Sequence, residues 1–159
     1  MMSEALNVNE LPGFMFIDHV AFTVPQGDLD KMVEAYSKIG FQCIHREQVL
    51  GTNQVDEALL QIGDGTNKLQ LVSPLNESSP VTKQLEKSGG RGAFAHIGYR
   101  VKSAQAAFDY LKEKGFKLTS AAPMPGSNGT TIFFVHPKST EAAPFGVLIE
   151  VVEAGAAKH

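Results

Sequence analysis

The stretch IDHVAFTV, Ile17 to Val24, returns 77 residues later as FAHIGYRV, Phe94 to Val101. Each is a short apolar run with one histidine at its third step. Side chains alternate faces along a strand. His19 therefore shares a face with Ala21 and Thr23, while Val20, Phe22 and Val24 point the other way. His96 shares its face with Gly98, opposed by Ile97, Tyr99 and Val101. A strand written twice, with imidazole at the same step, predicts a duplicated unit.

The likeness extends outward from both strands. After the first, Asp28 stands as an N-cap before Leu29, Met32, Val33 and Tyr36, the spacing of one helix face, and Gly40 sits at the stop. After the second, Ser103 precedes Ala104, Ala107, Phe108 and Leu111, with Gly115 as the stop. Both helices leave through Gly-Phe. EALLQIG (Glu57 to Gly63) and TTIFFVH (Thr130 to His136) then read as strands, followed by KLQLV (Lys68 to Val72) and LIEVV (Leu148 to Val152). His19 to Gln70 is 51 residues and His96 to Glu150 is 54. The chain is therefore read as α+β, with a strand, a helix and about three further strands made twice. Between the copies, Ser79 as N-cap, Pro80 at N1 and Gly89 predict a short connecting helix.

The bulk numbers set boundaries. A chain of 159 residues, 43% apolar and 19% charged, suits one well-buried domain. A net charge of −3 gives no electrostatic reason to expect nucleic acid or an anionic membrane as partner. No apolar run approaches the roughly 18 residues of a membrane span. The tail, residues 1–13, is acidic and polar and does not read as a secretory signal, so a cytoplasmic location is expected. The lone Cys43 excludes an internal disulfide and is read as a small core residue.

Alternation also places the chemistry. In the last strand of each copy, Gln70 opposes Leu69 and Leu71, and Glu150 opposes Ile149 and Val151. The bulky sets can meet their own helices, and the opposite faces carry two imidazoles, one amide and one carboxylate. Should the two copies curve into one sheet, those four side chains converge. Two nitrogens and two oxygens suit a divalent ion such as Zn, Co, Ni, Mn or Fe.

These residues resemble the vicinal oxygen chelate superfamily, which includes glyoxalase I, extradiol dioxygenases and bleomycin-resistance proteins, and within it the methylmalonyl-CoA epimerases. The stretches that carry the likeness are IDHVAFTVP, KLQLVSPLNESSPVTKQLEKSGGRG, AHIGYRV, PGSNGTTIFFVHPKST and GVLIEVVE. The resemblance implies two βαβββ modules forming one curved eight-stranded cup, in a single domain over 14–154. Module one spans about 14–75, the linker helix about 79–90 and module two about 91–154. It implies His19, Gln70, His96 and Glu150 as metal ligands. It also implies an isomerase acting through a metal-stabilised enolate of a 2-substituted acyl-CoA, and a homodimer.

In that family a glutamate removes the α-proton and a second group returns one on the other face. The family's segment reading E-E-Q-G-V, aligned without gaps on GTNQV, puts Thr52 in the glutamate's place. A threonine hydroxyl is too weak a base to do this unaided. The catalytic candidates are therefore Glu150, Glu57 and Thr52, with Glu57 first as a substitute base and otherwise an exposed strand residue. His45 and Glu47 are weaker candidates, read as surface residues. Lys138 of HPKST is the candidate contact for CoA phosphates, and PGSNG, Pro125 to Gly129, a candidate loop beside the acyl group. Ala95 replaces the first of a His pair often seen there, and Ser139 to Phe145 lengthens a loop at the substrate mouth. His136 is read as structural and His159 as a terminal residue. Three other readings stay open: a glyoxalase I-like lyase on a 2-oxo thiol adduct, a non-catalytic small-molecule binder of the resistance type, and an extradiol dioxygenase.

Overall fold

The computed structural model describes residues 10–138 and 146–155. Among them the order is β1 (Phe14–Thr23), α1 (Leu29–Ser37), β2 (Gln42–Val49), β3 (Val55–Gln61), β4 (Lys68–Pro74) and α2 (Pro80–Lys87). It continues with β5 (Phe94–Val101), α3 (Ala104–Glu113), β6 (Met124–Pro125), β7 (Thr131–Val135) and β8 (Ile149–Glu153). The strands form one eight-stranded sheet in the order β2-β3-β4-β1-β5-β8-β7-β6. Read outward from β1 and from β5, that is the same succession twice, and it bears out the α+β reading. The expected long loop, residues 139–145, and His159 lie outside the described residues. No helix among the described residues is long and apolar enough to cross a membrane.

Two compact units make up the chain, one running through Ile17 and resuming at Tyr99, the other spanning Asp18–Gly98. In the second unit β1 pairs with β4 in parallel, and β2, β3 and β4 run antiparallel. Its core lies on one face of these strands. Val24, Leu29, Ala58, Leu60 and Leu71 are buried together, with Phe22, Met32, Val33, Tyr36 and Phe41 packed against them. The apolar stripe of α1 thus meets the residues that alternation assigns to the histidine-free face, at about 1.5–3 kcal/mol for each fully buried large aliphatic side chain. On the same face Arg46 donates to Asp30 of α1 at 2.6 Å and to Asp56 at 3.3 Å. The hydrogen bond to Asp30 contributes most to holding the guanidinium above its ordinary pKa.

In the other unit α3 buries Ala104, Ala107, Phe108 and Leu111. Phe108 meets Phe133 of β7 edge-on, with ring centroids 5.2 Å apart.

The helix ends follow the sequence closely. The Ser79 hydroxyl accepts from Val81 N–H and the Ser103 hydroxyl from Ala106 N–H, each at 3.2 Å. Asp28 occupies the N-cap position of α1, yet its side chain makes no capping bond. Gly40, Gly89 and Gly115 all have positive φ, and the residue after each donates back to the carbonyl five positions earlier: Phe41 to Tyr36, Gly90 to Leu85, Phe116 to Leu111. This is the left-handed stop for which glycine lacks the steric penalty.

One expectation needs correcting. Cys43 is exposed, because β2 is an edge strand. The second copy's counterpart of β2 is only the two-residue β6, followed by a turn of 3-10 helix at Ser127–Gly129.

Candidate functional site

His19 and His96 are both buried, and their rings meet almost perpendicularly with Nε2 facing Nε2 at 3.0 Å. Asp18, the residue next to His19, puts its carboxylate 2.8 Å from His19 Nδ1, and Lys68 Nζ stands 3.8 Å from the other Asp18 oxygen. A carboxylate only accepts, so the proton sits on Nδ1 and the Nε2 lone pair turns toward His96. A carboxylate behind an imidazole in this way fixes tautomer and ring orientation at metal sites.

Space for the His19 ring comes from Gly98. A Cβ there would fall on that ring, 2.5 Å from Nδ1 and 2.8 Å from Nε2. The glycine that shares a face with His96 in the sequence is therefore a steric requirement of His19.

Gln70 lies on the same face of the sheet. It pairs with Ala21 across the parallel β1–β4 ladder and with Leu59 across the antiparallel β3–β4 ladder. Its amide donates to Glu57 Oε2 at 3.2 Å, which leaves Oε1 buried with no hydrogen-bond partner among the described residues. An unsatisfied buried acceptor costs about 1–3 kcal/mol. Glu57, expected as an exposed strand residue, is 5% exposed. Alternation could not tell which side of β3 would be buried.

The donor set suits a divalent ion. Two ligands at about 2.1 Å and roughly a right angle to each other are about 3.0 Å apart, the separation of the two imidazole nitrogens. An orphaned amide oxygen is what a hard or borderline cation takes up. Glu150, the counterpart of Gln70 in the second copy, is buried in β8 opposite Phe134 of β7.

The other candidates stand elsewhere. Thr52 is exposed in the turn between β2 and β3. That turn is tied down on both sides of it: Gln54 donates to the Leu50 and Gly51 carbonyls, and the Ser79 hydroxyl donates to the Asn53 carbonyl. The buried carboxylate that follows this turn is Glu57, five residues on. His45 and Glu47 are paired at 2.9 Å on β2 and are only partly exposed. Lys138 is exposed, and its backbone N–H donates to His136 Nδ1 in the turn after β7. Gly126 N–H and the Thr130 carbonyl close the PGSNG loop at 2.9 Å. Ala95 is buried with Ala21 and Val72. Reading the sequence alone missed Asp18, because alternation sends adjacent residues to opposite faces, and it missed Lys68 although that residue stands opposite His19 and two before Gln70.

The profile of the Glyoxalase/Bleomycin resistance protein/Dioxygenase superfamily matches residues 18–134. The chain belongs to this superfamily. Within the superfamily, it is 32% identical over 136 residues to the ethylmalonyl-CoA/methylmalonyl-CoA epimerase of Cereibacter sphaeroides, a match covering 85% of this chain and 95% of that one. The methylmalonyl-CoA epimerase structure from Mycobacterium tuberculosis superposes with a TM-score of 0.81 at 32% identity, covering 95% of each chain. A methylmalonyl-CoA epimerase solved with methylmalonyl-CoA and NH4+ gives a TM-score of 0.79 at 35% identity, covering 91% of this chain and 98% of that one. These superfamily members are epimerases, and the likeness runs through the strands that carry the histidines, Gln70 and Glu57.

Proposed function

We propose that the protein is a metal-dependent epimerase of the methylmalonyl-CoA type, acting on a 2-substituted acyl-CoA. The carrying observation is the buried face that holds the His19–His96 pair, the unpartnered Gln70 oxygen and the Glu57 carboxylate. His19, His96, Gln70 and Glu150 are the ligands in this reading. The histidine separation, the orphan amide oxygen and the equivalent place of Glu150 in the second copy support it. When bound, a divalent ion supplies Lewis-acid stabilisation of the oxygen charge that develops as the α-proton leaves.

The remaining work falls to the chain. Glu57 takes the α-proton, and the Gln70 amide N–H holds its carboxylate in place. A second group returns a proton on the opposite face, with Glu150 the candidate. Thr52, exposed in its turn, serves no proton transfer in this reading. Burial excludes water, which keeps the carboxylate basic and the exchange stereochemically ordered. Lys138 meets CoA phosphates from the surface. A cytoplasmic homodimer completes the reading, with the family resemblance as its support.

The test is deuterium exchange at C2 of methylmalonyl-CoA in D2O, with protein carrying Co, Ni, Mn, Zn or Fe. Exchange well above the buffer rate is expected. None, with metal demonstrably bound, would sink the reading.

A further inference from the structure

We propose that Glu47, held in place by His45, relays protons between Glu57 and solvent. This rests on the epimerase reading and adds to it a requirement that reading creates. An epimerase that removes a proton with one group and returns it with another finishes each turnover in the wrong protonation state. Glu57 ends as a carboxylic acid and must lose that proton before it works in the same direction again. At 5% exposure it has little direct access to water.

The sheet supplies a way out. Glu47 on β2 stands directly opposite Glu57 on β3, and His45 opposite Leu59. Opposed residues of an antiparallel pair share a face, with Cβ atoms about 4.5–5.5 Å apart. The neighbour between them, Arg46, reaches Asp30 on α1, so His45 and Glu47 point away from the helix, to the side of Glu57 and Gln70. His45 Nε2 lies 2.9 Å from Glu47 Oε1. Exposure rises from 5% at Glu57 to 35% for the Glu47 side chain, with His45 beside it at 27%. Two carboxylates facing each other across a ladder are normally unfavourable. An imidazole on the outer one, and a proton passing between them, give that pairing a use.

The transfers balance. The Cα–H bond breaks, its electron pair stays on the substrate, and the proton makes Glu57 a carboxylic acid. Glu47 carboxylate takes that proton, directly or through one water. Glu47, the more exposed of the pair, then releases it to bulk water, while the His45 Nε2–H donates to Glu47 Oε1 and holds the carboxylate in place. Each group ends as it began.

The experiment compares the first turnover with steady state in the metal-loaded full chain, using methylmalonyl-CoA. In Glu47→Gln, C2 exchange in a rapid-quench first turnover proceeds at the wild-type rate, while kcat falls on the order of tenfold or more. Added non-chelating morpholine buffer restores kcat in proportion to its concentration, an effect a packing role would not give. His45→Ala, which removes the N–H on Glu47, behaves alike, and it decides the matter if Glu47→Gln does not fold. A wild-type kcat in both variants, an equal fall in first turnover and kcat, or a kcat indifferent to buffer overturns the relay alone. A wild-type protein with no C2 exchange overturns the epimerase reading and the relay with it.

Discussion

The strand pair β3–β4 and the strand pair β7–β8 are the same piece of the duplicated unit with different chemistry. Gln70 faces Leu59, and Glu150 faces Phe134. Two steps along, Glu57 faces Val72 in the first copy, where Ile132 faces Val152 in the second. The first copy holds a neutral oxygen donor with a carboxylate beside it. The second holds a carboxylate donor opposite Phe134. A carboxylate at position 70 would set two negative charges at hydrogen-bond distance and push one of them to stay protonated. The amide instead gives Glu57 an N–H to accept and keeps its own oxygen for another partner. The duplication thus supplied two equivalent positions, and in the proposed reading only the first has a base beside it.

The largest expected effect tests the position two steps after each histidine. It is Ala21 in the first copy and Gly98 in the second, and the two are not interchangeable. A methyl at Gly98 would overlap the His19 ring, whereas Ala21 is simply buried. Gly98→Ala should take bound metal from about one ion per chain to near none by elemental analysis, since a displaced ligand leaves the ion too few donors. Ala21→Gly should keep the metal and lose roughly 0.5–1 kcal/mol of stability. Full metal occupancy in Gly98→Ala would mean that His19 is no ligand.

Next comes the base. Glu57→Gln preserves shape but cannot take a proton, so C2 exchange should fall by about 10²–10⁴ while metal content stays at the wild-type level. Ile132 offers the internal control: Ile132→Val, at the equivalent place in the second copy, should leave exchange within about twofold and cost about 0.5–1.5 kcal/mol. Unchanged exchange in Glu57→Gln would move the base elsewhere.

The residues before the two histidines differ as well. Asp18 holds His19 Nδ1 at 2.8 Å, whereas Ala95 precedes His96 and packs with Ala21 and Val72. Asp18→Asn keeps the volume and loses the charge that fixes the tautomer. Metal affinity by calorimetry should drop about 10–100-fold, the usual cost of removing such a partner. An unchanged affinity would show that the ring is held by packing against Gly98 and His96 alone.

These contrasts also mark what the sequence could disclose. The repeated strands, the helix stripes, the glycine stops and the four equivalent polar positions follow from local rules of period and capping, which a single chain displays. Burial of Glu57 depends on what lies over that face of the sheet, and no local pattern carries that. Asp18 escapes notice because its contact with His19 breaks the alternation that found His19. Cys43 was misplaced because membership of an edge strand is a property of the whole sheet. Thr52 stands in the place of the family's glutamate through an ungapped alignment across a turn, where lengths vary most freely. Glu57, the base in the proposed reading, lies just beyond that turn.

The smallest effect separates the two helices that follow the histidine strands. Ser103 caps α3 with a 3.2 Å bond from Ala106 N–H, while Asp28 sits before α1 with no capping bond from its side chain. Its carboxylate faces the helix N-terminus electrostatically and lies 3.8 Å from Lys31 Nζ at the surface. Ser103→Ala strands a backbone donor and should cost about 1 kcal/mol. Asp28→Ala removes only a screened charge–dipole interaction and a surface ion pair, so about 0.3–1 kcal/mol is expected, shrinking further in salt. Urea denaturation at low and at high ionic strength reads both. A salt-independent loss at Asp28 equal to that at Ser103 would show that the aspartate caps in solution after all, and the two helices would then begin alike.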